Sequence, residues 1–247
     1  MTNRDVNKFT GKVYGGVGVG NDTFSGVTTV KGSNFADTLI GGQPEFDTGA
    51  GESFQGMAGD DFIDGGTGSD TVKYLAASNE GSGVRIIGAS IASNSASDLL
   101  SMADIKIGGD SKLATGGYYG IYVRMANGVV VGDPANYGTD TLRGIEAIVG
   151  SSLDDIYDAR GYSYTSTNAR STGSGIDEFE GSAGNDIIYG SGSTRVSYSG
   201  AVNPVYVILD NNSVGSGRMS GDVTQGVDII LGGVSGIKGG DFDDVLI

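Results

Sequence analysis

A short glycine-rich turn that ends in aspartate recurs along the 247 residues, and it constrains the fold more than any other feature. Three copies read Gly56-Met-Ala-Gly-Asp-Asp61, Gly65-Gly-Thr-Gly-Ser-Asp70 and Gly181-Ser-Ala-Gly-Asn-Asp186. The aspartates of paired copies are nine residues apart, as in Asp61 and Asp70 or Asp177 and Asp186. An apolar residue follows each of these aspartates two positions later, so the motif alternates a turn with a very short apolar segment.

A longer unit built on the same kind of turn occurs three times in the chain. It has a first aspartate at Asp22, Asp140 or Asp228 and a second at Asp37, Asp155 or Asp244. In the second turn an apolar residue (Phe35, Leu153 or Phe242) replaces the fourth-position glycine, which predicts an apolar wedge instead of a full ion site. Ser53 is assigned the aspartate position of a further copy that is one residue short.

The motif has a direct physical interpretation as a coil of parallel strands. Glycine adopts positive φ without steric cost, so six residues can turn and three can form a strand. Two such halves make one ring, with the apolar residue inside, and stacked rings lie about 4.8 Å apart. Carboxylates stacked at that spacing repel by a few kcal/mol per pair at an effective dielectric constant of about 20. A divalent cation reverses the sign, and an oxygen-only ligand set favours Ca²⁺ over Mg²⁺.

Composition removes several functional classes. The chain has no His and no Cys, which excludes Ser-His-Asp triads, imidazole-ligated zinc, disulfides and thiol nucleophiles. Thirty acidic residues against 15 basic ones give a net charge of −15, which argues against nucleic-acid binding. No apolar run approaches the roughly 20 residues of a membrane span, so we expect no membrane insertion. Because no N-terminal signal peptide is evident, export would use another route, or the chain is part of a larger protein.

These nonapeptides resemble the Gly- and Asp-rich calcium repeats of RTX (hemolysin-type) proteins. The resemblance covers roughly residues 14–75 and 136–247. It implies an all-β fold, a right-handed parallel β-roll or β-helix solenoid with Ca²⁺-binding turns. It also implies secretion in an unfolded state by a type I system, followed by folding in calcium-rich surroundings.

The resemblance also implies which residues bind calcium. Carried over position by position, the carboxylate ligands are Asp61, Asp70, Asp177 and Asp186, and the longer units add Asp22, Asp37, Asp140, Asp155, Asp228 and Asp244. The carbonyl donors implied by the same positions are Gly56, Ala58, Gly65, Thr67, Gly181 and Ala183.

The aspartate rhythm stops between residues 74 and 137. Residues 84–87 and 120–131 are predicted as strands, with a hairpin at Asn127-Gly128, and residues 97–104 are the one helix candidate. Because residues 205–209 align with 84–87, the sequence predicts a first roll block at 1–94, an insert with a β-hairpin at 95–135 and a second roll block at 136–247, in one continuous solenoid. Tyr118, Tyr119 and Tyr122 either form a sugar- or partner-binding patch or cover the flank of the roll.

Two functions remain. The first is a non-catalytic, calcium-binding structural module of an extracellular bacterial surface protein, an adhesin or a matrix filament. It would fold on binding Ca²⁺ and associate head to tail with itself or with neighbouring repeats. The alternative is the C-terminal RTX secretion and folding region of a type I-secreted enzyme or toxin. A β-helical carbohydrate enzyme is disfavoured, because the chain has neither His nor Trp.

Overall fold

The computed structural model of the protein describes residues 10–14, 21–25, 27–42, 51–75, 85–86, 105–106, 119–133, 135–169, 176–210, 216–220 and 225–247. Its N-terminal strands are β1 (Thr10–Tyr14), β2 (Asn21–Ser25), β3 (Thr29–Lys31), β4 (Thr38–Gly42), β5 (Ser53–Gln55), β6 (Phe62–Gly66), β7 (Thr71–Lys73), β8 (Arg85–Ile86) and β9 (Ile105–Lys106). The middle strands are β10 (Tyr119–Arg124), β11 (Val129–Gly132), β12 (Thr139–Arg143), β13 (Ala147–Val149), β14 (Asp154–Asp158), β15 (Glu178–Glu180) and β16 (Ile187–Tyr189). The C-terminal strands are β17 (Thr194–Ser197), β18 (Tyr206–Asp210), β19 (Ser216–Ser220), β20 (Ile229–Leu231), β21 (Val234–Lys238) and β22 (Val245–Leu246).

Two sheets form the body of the fold, and the chain passes back and forth between them. The smaller sheet has seven parallel strands in the order β21-β17-β15-β13-β7-β5-β3. The larger has 11 strands in the order β22-β18-β19-β20-β16-β14-β10-β11-β12-β6-β4. A turn from β3 to β4, from β5 to β6 or from β15 to β16 completes half a coil. The predicted all-β roll of stacked parallel strands is confirmed.

Two antiparallel meanders enlarge the second sheet. Strands β10, β11 and β12 lie between β6 and β14, and strands β18, β19 and β20 lie between β16 and β22. In both meanders the first strand pairs in parallel with the next coil and the last strand with the preceding coil. The predicted hairpin is confirmed: a short 3-10 helix, Met125–Asn127, and Gly128 at φ 65° join β10 to β11.

The two meanders correct one part of the sequence alignment. Strand β18 corresponds to β10, because each pairs with the strand of the following long unit, whereas β8 pairs with β9. The alignment of residues 205–209 with 84–87 is therefore wrong. Both segments are short β-branched runs after a Val-x-Tyr sequence, and periodicity cannot separate them. The two strands of the hairpin, β10 and β11, belong to the larger sheet. The predicted boundaries of the insert, between residues 94 and 95 and between residues 135 and 136, stay a prediction. The helix candidate at 97–104 lies outside the described residues.

The interior consists of one apolar residue per short strand, as the motif predicts. Ile63, Val72, Phe179 and Ile188 are fully buried, and the ring of Tyr157 stacks on Phe179 with centroids 4.6 Å apart. Strand alternation places one side chain inward and its neighbours outward, which is why a three-residue strand contributes a single core residue.

The structure bears on three of the sequence expectations. The apolar wedge is wrong for Phe35 and Phe242, which are 78% and 46% exposed. The backbone of Phe35 lies against Gly59 of the next coil, so the close contact is made by main chain and not by the ring. Tyr122 is 2% exposed and presents no surface to a sugar or a partner. None of the helices in the described part of the chain is both long and apolar enough to cross a membrane.

Replacing Phe179 by alanine is expected to lower the free energy of unfolding by about 3–5 kcal/mol, because it removes a fully buried ring and its stacking contact with Tyr157. Ile176→Ala is the matched control, since Ile176 is 47% exposed three residues earlier, and it should change stability by less than about 1 kcal/mol. Urea denaturation in saturating calcium measures both. Equal losses would contradict the assignment of Phe179 to the core.

Candidate metal centre

The aspartates of one side of the roll form a hydrogen-bonded row across successive coils. The backbone N–H of Asp37 donates to Oδ1 of Asp61 at 2.8 Å, and the N–H of Asp61 donates to Oδ1 of Asp140 at 3.1 Å. The same contact joins Asp155 to Asp186 at 2.8 Å and Asp186 to Asp228 at 3.0 Å. One oxygen of each accepting carboxylate is therefore used to hold the coils in register.

The opposite side of the roll has a corresponding row that includes two glutamates. The N–H of Glu52 donates to Oδ1 of Asp70 at 2.7 Å, and the N–H of Asp70 donates to Oε2 of Glu146 at 3.0 Å. Glu52 therefore takes the position that the sequence analysis gave to Ser53, and that assignment is wrong. A search for aspartate alone misses both glutamates, although Gly49-Ala-Gly-Glu52 has the glycine pattern of the motif.

The turns keep one backbone shape even where the sequence departs from glycine. The second and fourth residues have positive φ in all three copies, at 93° and 134° for Gly66 and Gly68. Met57 and Ser182 occupy the second position with φ of 82° and 72°, a region that side chains other than glycine rarely adopt. The shape of the turn is thus imposed by the coil around it, and it aims backbone carbonyls and the terminal carboxylate at the same space.

Three of the turn aspartates have a buried oxygen without a hydrogen-bond partner among the described residues. These atoms are Oδ2 of Asp61, Asp70 and Asp186, and the carboxyl of Asp70 also lies beside that of Glu52, which offers no donor while both are ionised. The three residues are at most 2% exposed, so these oxygens lie away from bulk solvent. A buried, unpaired carboxylate oxygen is strongly unfavourable unless a cation or a proton neutralises it.

The first glycine of each turn leaves the space in which that oxygen lies. A Cβ on Gly56 would clash with Oδ2 of Asp61, and a Cβ on Gly181 would clash with Oδ2 of Asp186. A Cβ on Gly32 would lie 2.6 Å from Oδ2 of Asp37 and 2.7 Å from the carbonyl oxygen of Gly56 in the next coil. Carboxylate and carbonyl oxygens thus converge from neighbouring coils, which is the donor set that suits Ca²⁺.

The remaining predicted ligands are held by protein donors. Asp155 accepts the N–H and the hydroxyl of Ser151, and Ser33 makes the same two contacts with Asp37. Asp244 accepts N–H groups of Gly240 and Val205.

The hydroxyls of Tyr74, Tyr157 and Tyr198 donate to Asp140, Asp177 and Asp228, respectively. The side chain of Asp22 lies outside the described residues.

The carbonyl donors can be placed less fully. The carbonyl oxygens of Gly56, Gly65 and Gly181 lie close to a glycine of the neighbouring coil. Ala58 is buried, and Thr67 and Ala183 are half-buried in their turns. In the described residues no group of three or more His, Cys, Asp or Glu side chains is arranged to hold a metal by itself. An ion at these turns would therefore be bound in part by backbone carbonyls, and the complete ligand set stays a prediction.

Burial raises the pKa of the buried aspartates in these rows far above the usual value of 3.8. Desolvation raises the pKa of Asp61 to about 6 and that of Asp140 to about 8. Burial is also the main cause of the raised pKa of Asp70, with the neighbouring carboxyl of Glu52 adding to it. The pKa of Asp186 is raised by burial and by the charges of Asp155 and Asp228. The metal-free turns are thus sites where protons and cations compete for the same oxygens.

Comparison with known families gives a finding that agrees with this geometry. The model of the RTX calcium-binding nonapeptide repeat matches four copies, in residues 47–74 and 171–194. These ranges include Glu52, Asp61, Asp70, Asp177 and Asp186. None of the curated proteins compared with the chain matches it. The predicted family of repeats and the predicted cofactor, Ca²⁺, are confirmed.

The stability of the metal-free chain should fall as the pH rises. Because the folded-state pKa of Asp61 and Asp140 exceeds the unfolded value, the folded state binds more protons between about pH 4 and pH 8. This contribution is complete below about pH 4 and is lost as the pH rises through 6 to 8. Circular dichroism of the β-sheet signal in chelator at pH 5 and pH 8, followed on heating, measures it, with saturating calcium as the control. A metal-free β signal that is stronger, or melts at a higher temperature, at pH 8 would contradict the raised pKa values.

Gly181→Ala should reduce calcium affinity by about tenfold or more, because its methyl group would displace Oδ2 of Asp186, and overpacking of this kind costs roughly 1–3 kcal/mol. Gly236→Ala is the control, since the nearest heavy atom to its Cβ is Cγ of Arg195 at 3.9 Å. Isothermal titration calorimetry compares the two variants with the parent chain. Unchanged affinity in Gly181→Ala would show that Asp186 does not bind the ion.

Proposed function

Because the chain carries RTX calcium-binding nonapeptide repeats and is a calcium-binding structural module, we propose that it is a non-catalytic part of an extracellular bacterial surface, adhesin or matrix protein that folds on binding Ca²⁺. The observation that carries the proposal is the set of buried aspartate oxygens in the nonapeptide turns that have no donor among the described residues. The cytosol holds little free calcium and the extracellular medium much more, so such turns would close only after export.

The composition supports a structural role. The patterned residues supply turns, core positions and ligands: Gly56 and Gly181 provide space for a carboxylate, whereas Ile63 and Phe179 fill the core. RTX repeats are generally non-catalytic and their proteins are typically secreted by type I systems, which agrees with the proposed location. The alternative, a folding and secretion region of a larger enzyme or toxin, uses the same calcium-dependent folding and differs in what is attached to the roll.

Calcium titration of the chelator-treated chain should produce a cooperative gain of β-sheet circular dichroism, whereas magnesium should produce little, because Mg²⁺ keeps its waters and demands an octahedral site. Asp186→Asn should move the calcium midpoint upward, because it removes the charge of an aspartate that is fully buried. Asp243→Asn, which changes an exposed neighbour of the last turn, should not. An identical β signal with and without calcium would exclude the proposal.

The sheet edges support head-to-tail association with a second copy. Strand β4 is one edge of the larger sheet and β22 the other, and Ile40 and Leu246 on them are 59% and 45% exposed. The two edge turns share a sequence pattern, Phe35-Ala-Asp37-Thr-Leu39 and Phe242-Asp-Asp244-Val-Leu246. Parallel pairing of β22 with β4 of another copy would place Asp37 beside Asp244, as Asp61 stands beside Asp37 within one chain.

Association should require calcium, because each chain carries a net charge of −15 and copies repel one another without it. Light scattering after gel filtration is expected to show monomers in chelator and larger species in millimolar calcium. Ile40→Lys should reduce the larger species, whereas Val202→Lys, at a loop residue that is 56% exposed, should not. A strict monomer in calcium would rule out self-association and leave the calcium-dependent fold intact.

A further inference from the structure

Three buried aspartates of the roll are closed by hydroxyl groups. Oδ2 of Asp140 accepts the hydroxyl of Tyr74 at 2.8 Å, and Oδ2 of Asp228 accepts the hydroxyl of Tyr198 at 3.0 Å. The other oxygen of each carboxylate accepts a backbone N–H of the neighbouring coil, from Asp61 or Asp186. Both oxygens of both side chains are therefore occupied by protein donors.

Asp177 on the opposite side of the roll is closed in the same way. Its Oδ2 accepts the hydroxyls of Tyr157 and Thr194, both at 2.7 Å, and its Oδ1 accepts the hydroxyl of Ser191 at 2.6 Å. The ring of Tyr157 is fixed by its stacking on Phe179. Thr194 stands where the next turn would otherwise provide another carboxylate.

Burial does not distinguish these aspartates from the ones with an unpaired oxygen. Asp140, Asp177 and Asp228 are at most 1% exposed, and Asp61, Asp70 and Asp186 are at most 2% exposed. Asp61 stands beside Asp140 in the row, and Asp186 stands beside Asp228. The distinguishing feature is the tyrosine hydroxyl, which supplies a donor that Oδ2 of Asp61, Asp70 and Asp186 does not find in the described part of the chain.

The position of two of the tyrosines follows from the fold. Tyr74 comes directly after β7, and Tyr198 comes directly after β17, the two strands from which the chain leaves the simple coil and enters a meander. At these levels Asp140 and Asp228 are reached from an antiparallel strand and not through the six-residue glycine turn. At both levels a tyrosine side chain crosses the interior from the end of a smaller-sheet strand and reaches the carboxylate.

We propose that Tyr74, Tyr157 and Tyr198 determine which levels of the roll take calcium, by occupying the aspartate oxygens that an ion would otherwise bind at Asp140, Asp177 and Asp228. The roll then has levels closed by calcium, levels closed by tyrosine and levels such as that of Asp155, which Ser151 closes. This inference rests on the calcium-dependent function proposed above. It removes Asp140, Asp177 and Asp228 from the ligand set implied by the repeat resemblance and keeps Asp61, Asp70 and Asp186 with their neighbouring carbonyls.

The most direct test uses the unaltered chain. Crystals grown with calcium and soaked in a lanthanide should show anomalous-difference peaks beside Oδ2 of Asp61, Asp70 and Asp186. No peak should lie within coordination distance of Asp140, Asp177 or Asp228. Peaks at both sets would overturn this inference and leave the proposed function standing. The absence of any peak at the six aspartates would overturn both.

Ion counting on variants gives a second test in solution. Asp186→Asn should lose at least one bound calcium per chain, measured by atomic emission after gel filtration, whereas Asp228→Asn should retain the full number. Tyr198→Phe should lower the melting temperature at limiting calcium, and saturating calcium should restore most of the loss, because the opened oxygen of Asp228 can then accept an ion. Loss of calcium in Asp228→Asn, or an equal loss of stability in Tyr198→Phe at limiting and at saturating calcium, would contradict the proposal.

Discussion

Buried carboxylates that need a positive partner are the interaction on which this structure depends. Stacked coils place aspartates at nearly the spacing of neighbouring strands, and burial of Asp61, Asp70 and Asp186 removes the water that would screen them. Without a cation or a proton the stack is unfavourable, as the raised pKa of Asp61 and Asp186 shows. The apolar core is narrow, with one inward residue in most coil strands, so the burial of apolar side chains offsets little of that repulsion. The fold is therefore coupled to whatever neutralises its turns.

The roll itself could be predicted from sequence because its signal is local. Six turn residues and one apolar residue, as at Asp61 with Ile63 or Asp186 with Ile188, define both the period and the direction of the side chains. The meanders could not be placed in the same way. Residues 84–87 and 205–209 are both short runs rich in β-branched residues, and only the strand pairing shows that β18 corresponds to β10 and not to β8. Such pairings join residues that are far apart in the chain, and they do not change the spacing of apolar residues in the sequence.

The candidate site shows the same division. Sequence spacing located the aspartates, but it could not separate those with an open oxygen from those closed by a hydroxyl. Tyr198 is 30 residues from Asp228 and Tyr74 is 66 residues from Asp140, so these contacts exist only in the folded roll. Glu52 was missed because the search required aspartate, although its backbone occupies the same place in the row. Position within the coil thus identifies the members of the carboxylate row better than residue type does.

Amide hydrogen exchange tests the central claim most directly, because it reports on each turn separately. The account predicts that the amides of residues 56–61, 65–70 and 181–186 exchange slowly in calcium and at nearly unprotected rates in chelator at neutral pH. Exchange in the magnesium-containing control should resemble that in chelator. Equal protection of these turns in calcium and after complete chelation would show that the buried carboxylates do not depend on the ion, and the account would be wrong.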